Sequence, residues 1–111
     1  MLPSQPAYKT TPIPGCASIA ANKIQHDPYV LDGAAASVAL VTSIIANSSV
    51  GLELLHQAFQ APFGWVHWRL DVFSPAFASV DIYRFEGACI VEHWDTIQQV
   101  PADAINPHPL F

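Results

Sequence analysis

Positive charge is what this chain has least of. Four Lys and Arg residues stand against nine Asp and Glu, a formal charge of −5, and no basic run occurs anywhere. Nucleic-acid binding through phosphate neutralisation would have little to work with, so such partners are excluded. Cysteine is nearly as scarce. Cys16 and Cys89 are far apart and fit no metal or redox spacing. They are expected as two free thiols in a reducing compartment, with a disulfide as the alternative. No glycine-rich phosphate loop or nucleophile elbow is present, which leaves phosphoryl and hydride transfer without equipment. Long apolar runs are also missing. Met1 to Gly15 is broken by Pro3, Pro6, Pro12 and Pro14, and reads as neither a signal peptide nor an anchor. Ala34 to Ala46 is apolar but short and carries Ser and Thr, which points to a buried helix and not a span. No membrane partner is expected, and the expected address is the cytoplasm.

What is present is hydrophobic. Apolar residues make up 51% of 111 positions and charged ones only 12%, which suits one folded domain with a single core. A domain this apolar can also bury surface against a second copy, so a homodimer is expected. Residues 1–23 read as a proline-rich arm or lead-in, with a short helix or turn over Cys16 to Lys23, and residues 24–111 as the domain proper. Ile24 to Gly33 is turn-rich. Asp32 or Gly33 can cap a helix running to about Asn47, with Val38, Leu40, Val41, Ile44 and Ile45 on a broad apolar face. Asn47-Ser48-Ser49 is a stop. Gly51 to Gln60 and Trp65 to Phe73 then read as strands around an Ala61-Pro62-Phe63-Gly64 turn, and the last segment, Pro101 to Phe111, as irregular.

The clearest signal is a hairpin. Two runs of β-branched and aromatic residues, Ser79 to Phe85 and Cys89 to Gln98, flank Glu86-Gly87-Ala88. With Gly87-Ala88 as the turn, Glu86 faces Cys89 and Phe85 faces Ile90. Continuing outward, Tyr83 would face Glu92 and Asp81 would face Trp94, putting these side chains on one face as a pocket wall. A three-residue loop would instead set Asp81 opposite His93. In the preferred register His93 and Asp95 point the other way, to a dimer contact or a structural network. The order of elements gives an α+β domain in which a helix covers one side of a curved antiparallel sheet, and the concave face is where a small molecule would bind.

Val80 to Gly87, followed by Ile90-Val91-Glu92-His93-Trp94-Asp95-Thr96-Ile97-Gln98-Gln99-Val100-Pro101, resembles the carboxy-terminal signature of SnoaL-like proteins in the NTF2-like superfamily. Ile24-Gln25-His26-Asp27-Pro28 is similar to the "IQHNP" segment of that group, Val66-His67-Trp68 to its "VHV"-type strand, and Asn106-Pro107 to its closing segment. The resemblance runs from about Ile24 to the end. It implies a cone-shaped α+β barrel, usually dimeric, whose polyketide cyclase members close rings by cofactor-free aldol chemistry. The first twenty-odd residues match nothing in the family, so its usual amino-terminal helix is expected to be truncated or replaced.

In those cyclases a carboxylate serves as acid and base beside a histidine, and the resemblance places Asp81 and His67 in these roles. A carboxylate in an apolar wall suits the task, because desolvation raises its pKa toward neutrality. The bland reading of Asp81 is an ion pair with Arg84 or Arg69, and that of His67 is a hydrogen-bonded core residue. Tyr83, Phe85 and Trp94 are expected to shape the cavity, with Gln25, His26 and Glu92 as its polar contacts. Gln25 and His26 could equally serve the turn, and Glu92 could be solvated. His26, His67 and His93 lack close ligand spacing, so no metal and no cofactor is expected. The function expected is a lyase or isomerase of aldol-condensation or cyclisation type acting on a small hydrophobic, polyketide-like carbonyl compound. The alternative is a non-catalytic NTF2-like binding or dimeric interaction module, which the missing amino-terminal helix favours.

Overall fold

The structure is a computed structural model that describes Cys16 and residues 18–46, 51–71 and 74–111, with Ile45 described by its backbone alone. The proline-rich arm from Met1 to Gly15, the Asn47-Ser48-Ser49 stop and Phe73 lie outside the described residues.

Among the described residues, five strands and one helix make a small α+β fold, in the order β1 (Ile19–Gln25), α1 (Ala34–Ala46), β2 (Gly51–Gln60), β3 (Phe63–Asp71), β4 (Phe77–Glu86) and β5 (Cys89–Gln99). The sheet order is β1-β5-β4-β3-β2. β2 to β5 form an antiparallel meander, whereas β1 pairs with β5 in parallel. The sheet is therefore mixed and not purely antiparallel, and Ile19 to Lys23 is strand, not helix or turn. Ile19-Ala20-Ala21-Asn22 lacks the alternation that marks a strand, and its place is set by pairing with the carboxy-terminal strand, a contact distant in sequence.

α1 lies on one face of the sheet, where Ser37, Leu40, Val41 and Ile44 look across a cavity at strand side chains. Asp32 does not cap it: its Oδ1 accepts from the Gln25 N–H at 2.7 Å. Gly33 donates its N–H to the Lys23 carbonyl at 2.7 Å in a left-handed backbone conformation (φ 96°) that admits glycine readily. These two bonds fix the start of the helix to the end of β1.

The buried apolar cluster is small: Ala20, Cys89 and Val91, with Cys16 packed against them. Cys16 and Cys89 form a disulfide, with Cα atoms 5.3 Å apart, so the expected pair of free thiols is corrected. The bond ties the segment before β1 to the start of β5.

The hairpin turns at Gly87-Ala88, with Glu86 opposite Cys89 and Phe85 opposite Ile90 as its residues indicate. Beyond that the register shifts by one. Arg84 faces Glu92, Tyr83 faces His93, Ile82 faces Trp94 and Asp81 faces Asp95, so Val91 is the extra residue of a β-bulge. Neither register expected from the turn holds past Phe85. The shift exchanges the faces of β5: His93 and Asp95 join Asp81 and Tyr83 on the helix side, while Glu92 and Trp94 join Arg84 and Ile82 on the other.

Candidate functional site

Between α1 and the sheet lies a cavity of about 400 Å³. Leu40, Val41 and Ile44 of α1, Leu52, Trp68, Leu70 and Ile97 form its apolar wall, and Lys23, Gln25, Ser37, Asp81, Tyr83, His93 and Asp95 are among its polar groups. The polar groups gather at the β1-β5-β4 side because β1 runs beside β5 and the bulge turns His93 and Asp95 inward.

Gln25 organises them. Its Oε1 accepts from the backbone N–H groups of His26 and Asp27, each at 3.1 Å, which settles which end of the amide is oxygen. The same oxygen lies 2.6 Å from His93 Nδ1, so Nδ1 carries a hydrogen and donates it. His93 Nε2 in turn stands 2.7 Å from Asp81 Oδ1. A charged imidazole would donate from Nε2 to an ionised Asp81, whereas a neutral one would accept there from a protonated carboxyl. In both states one proton lies between Nε2 and Oδ1. Ser79 Oγ donates to the other Asp81 oxygen at 2.9 Å, and the Tyr83 ring lies 4.9 Å from the imidazole. His93 and Ser79 are buried, so the pair is held rigidly against the cavity.

Three more groups border this pair. Burial pushes the Asp95 carboxyl up to about 6, helped by its hydrogen bond with Asp27 and that residue's charge, against the opposing pull of His93. Tyr83 is raised above the ordinary phenol range, first by burial and then by the charges of Asp81 and Asp95. It is therefore a neutral O–H donor at physiological pH. Lys23 is buried and donates from Nζ to Ser37 Oγ, and desolvation pulls its ammonium down against the opposing charges of Asp32, Asp95 and Asp27.

Of the residues expected at the site, Asp81, Gln25 and Tyr83 line this cavity. The other five do not. His67 faces Val80 on the opposite side of the sheet, where it lies 3.1 Å from His56 through Nδ1 and donates from Nε2 to the Leu110 carbonyl at 2.9 Å. Phe111 stacks on it and covers Arg69, with the guanidinium 4.8 Å from the ring centroid. His67 thus bonds the irregular carboxy-terminal segment on the face of the sheet away from Asp81. Glu92, Trp94 and His26 also sit on that outer face. His26 stacks flat on Trp94 at 4.9 Å, and His26 Nε2 and Arg84 Nε bond Glu92 at 2.7 and 2.8 Å. Burial raises the Glu92 carboxyl, but these two partners outweigh it and hold it below its ordinary value. Phe85 keeps the helix-side face, though it lines a neighbouring hollow with Phe59, Gly64 and Ile90. Trp68 and Tyr83 border both hollows.

Sequence reasoning set His93 and Asp95 outward and gave Lys23 no role. The arginine pairing considered for Asp81 does not occur: Arg69 pairs with Asp71, and Arg84 with Glu92 and Glu86. Asp81, His93 and Asp95 bring one ligand atom each within 4.8 Å of one another, but both His93 nitrogens are already engaged with Gln25 and Asp81.

No protein-family profile matches the chain, and no curated protein matches it. Among solved structures, TsrD from Streptomyces laurentii is similar in fold, with a TM-score of 0.57 at 14% identity over 74% of this chain and 70% of that one. The likeness is one of fold alone. Among the described residues, no helix is long and apolar enough to cross a membrane.

Proposed function

We propose that the chain is a SnoaL-like member of the NTF2-like superfamily that performs cofactor-independent acid/base chemistry on a small hydrophobic carbonyl compound, as a lyase or isomerase of aldol or cyclisation type. The observation that carries this reading is the 2.7 Å contact between Asp81 Oδ1 and His93 Nε2 at the wall of an apolar cavity. The helix over one face of the sheet is compatible with the narrow part of a cone.

An enolisation needs a base for the proton beside the carbonyl and a donor for the oxygen that gains charge. Asp81 takes the carbon-bound proton as a carboxylate. His93, oriented by Gln25, holds that carboxylate in place through its Nε2–Oδ1 contact. The neutral Tyr83 hydroxyl and the protonated share of Asp95 are the donors available to the enolate oxygen. Returning the proton from Asp81 to a different carbon gives isomerisation; attack of the enolate carbon on a second carbonyl gives ring closure.

The test is α-hydrogen exchange of 2-tetralone in D2O, followed by NMR. Wild type should accelerate exchange, and Asp81→Asn should lower that acceleration by about 100-fold or more, the usual contribution of a positioned base. Full exchange in Asp81→Asn would remove it from the mechanism. Binding of 2-tetralone with no exchange would favour the non-catalytic module.

The proposal includes a homodimer. On the sheet face away from α1, Phe63, Trp65, Val80 and Ile82 are exposed together, an apolar patch of the kind that copies cover. Light scattering that returns a clean monomer at high concentration would refute it. The Cys16–Cys89 disulfide favours an oxidising compartment over the cytoplasm expected from composition.

A further inference from the structure

The acid/base reading leaves one chemically capable group in the cavity without a task. Lys23 and Gln25 are two residues apart on β1 and so share the helix-side face, which sends the Lys23 chain beneath α1 to Ser37. Both Lys23 and Ser37 line the cavity beside Leu40, Val41 and Trp68. A lysine that served only to balance Asp27, Asp32 and Asp95 could do so from the surface. This one is 3% exposed and held among apolar side chains, where its ammonium nitrogen donates to the Ser37 hydroxyl.

We propose that Lys23 is an amine nucleophile that captures the carbonyl carbon of an aldehyde or ketone ligand as a Schiff base within this cavity. The assignment rests on the carbonyl-binding role of the cavity proposed above. The Nζ lone pair of the neutral amine forms the C–N bond as the carbonyl π electrons move to oxygen. That oxygen gains a proton and the nitrogen loses one, giving a carbinolamine. The nitrogen lone pair then forms C=N while the C–O bond breaks, and the hydroxyl leaves as water after taking a proton. Asp95, which lines the same cavity and is partly protonated near neutrality, supplies that proton and recovers one as the iminium loses its N–H. The net change is amine plus carbonyl giving imine plus water, with no oxidant or reductant. Burial favours the neutral amine that the first step needs, although the nearby carboxylates oppose it.

The chain has two lysines, Lys9 and Lys23, so a trapping experiment reads out cleanly. The native protein is incubated at neutral pH with 3-phenylpropanal and sodium cyanoborohydride, and the reduced adducts are mapped by peptide mass spectrometry. Lys23 should be alkylated faster than Lys9, because its burial favours the neutral amine. The preference should disappear in urea. Lys23→Arg keeps the charge and the donor to Ser37 but forms no imine, and should lose the adduct while still folding; Lys23→Met gives a second check if the arginine does not fit. Adducts confined to Lys9 and the amino terminus of the native protein would overturn the proposal. If 2-tetralone exchange persists while Lys23 stays unlabelled, the amine site fails and the acid/base reading stands. Lys23 labelling without exchange would support the amine site and sink the acid/base reading.

Discussion

Removing the Cys16–Cys89 disulfide should cost this protein a large part of its stability. The bond closes a loop of 73 residues, and the chain-entropy relation for a loop of that size gives about 4.4 kcal/mol at 25 °C. A domain of this size is stable by only about 5–15 kcal/mol in total. Among the described residues, the apolar cluster around the bond is small: Ala20, Cys89, Val91 and the partly buried Cys16. Each kcal/mol moves the melting temperature of a small domain by roughly 4–8 °C, so a loss near 4 kcal/mol should lower Tm by roughly 15–30 °C. The assay is thermal unfolding followed by circular dichroism, with and without a phosphine reductant, on wild type and on the Cys16→Ala/Cys89→Ala double variant. Wild type under reductant should melt with the double variant, and reductant should leave the double variant unchanged. A drop of less than about 4 °C, equivalent to ~1 kcal/mol, would refute the reasoning. So would two titratable thiols in oxidised, folded protein.

Three further outcomes follow from the geometry. Because Asp95 is raised to about 6 in the native state, that state binds more protons than the unfolded chain between about pH 4 and 6. Its contribution to stability should therefore fall as pH rises through this window, and Asp95→Asn should remove that part of the slope in urea midpoints measured across it. Glu92→Gln should lower stability by about 2 kcal/mol through its weakened charge-assisted bonds to Arg84 and His26, yet leave 2-tetralone exchange unchanged because Glu92 lies on the outer face. Gly87→Ala should cost about 1 kcal/mol from its positive φ of 59° alone, since among the described residues beyond its two chain neighbours no atom lies within 4 Å of the added methyl group; a loss above ~3 kcal/mol would mean the turn does more than reverse the chain.

Local chemistry made some of this structure readable. Gly87-Ala88 between two β-rich runs fixed the hairpin and its first two pairs, and the apolar positions between Ala34 and Ala46 fixed the helix. Pro62 and its neighbours located the β2-β3 turn, though β3 begins at Phe63 and not at Trp65. The site was harder to read because one inserted residue decided it. Val91 carries no mark of a bulge: it is β-branched and buried like any strand residue. Yet the bulge moves His93 and Asp95 into the cavity and Glu92 and Trp94 out. β1 was hidden for a different reason, since its alanines, asparagine and lysine become a strand only against the parallel edge of β5. With β1 unseen, Lys23 had no cavity to face. Asp81 was found through the family resemblance and Tyr83 because it shares the Asp81 face of its own strand, which the bulge does not alter; Gln25 was found through the resemblance of its turn-rich segment, without β1 being seen.

The central claim is that His93, not His67, is the histidine that works with Asp81. It is tested most directly by comparing His93→Gln with His67→Gln in the 2-tetralone exchange assay, after confirming that both variants are folded. The geometry predicts a loss of about 100-fold for His93→Gln and a rate within about twofold of wild type for His67→Gln. The reverse order would contradict it.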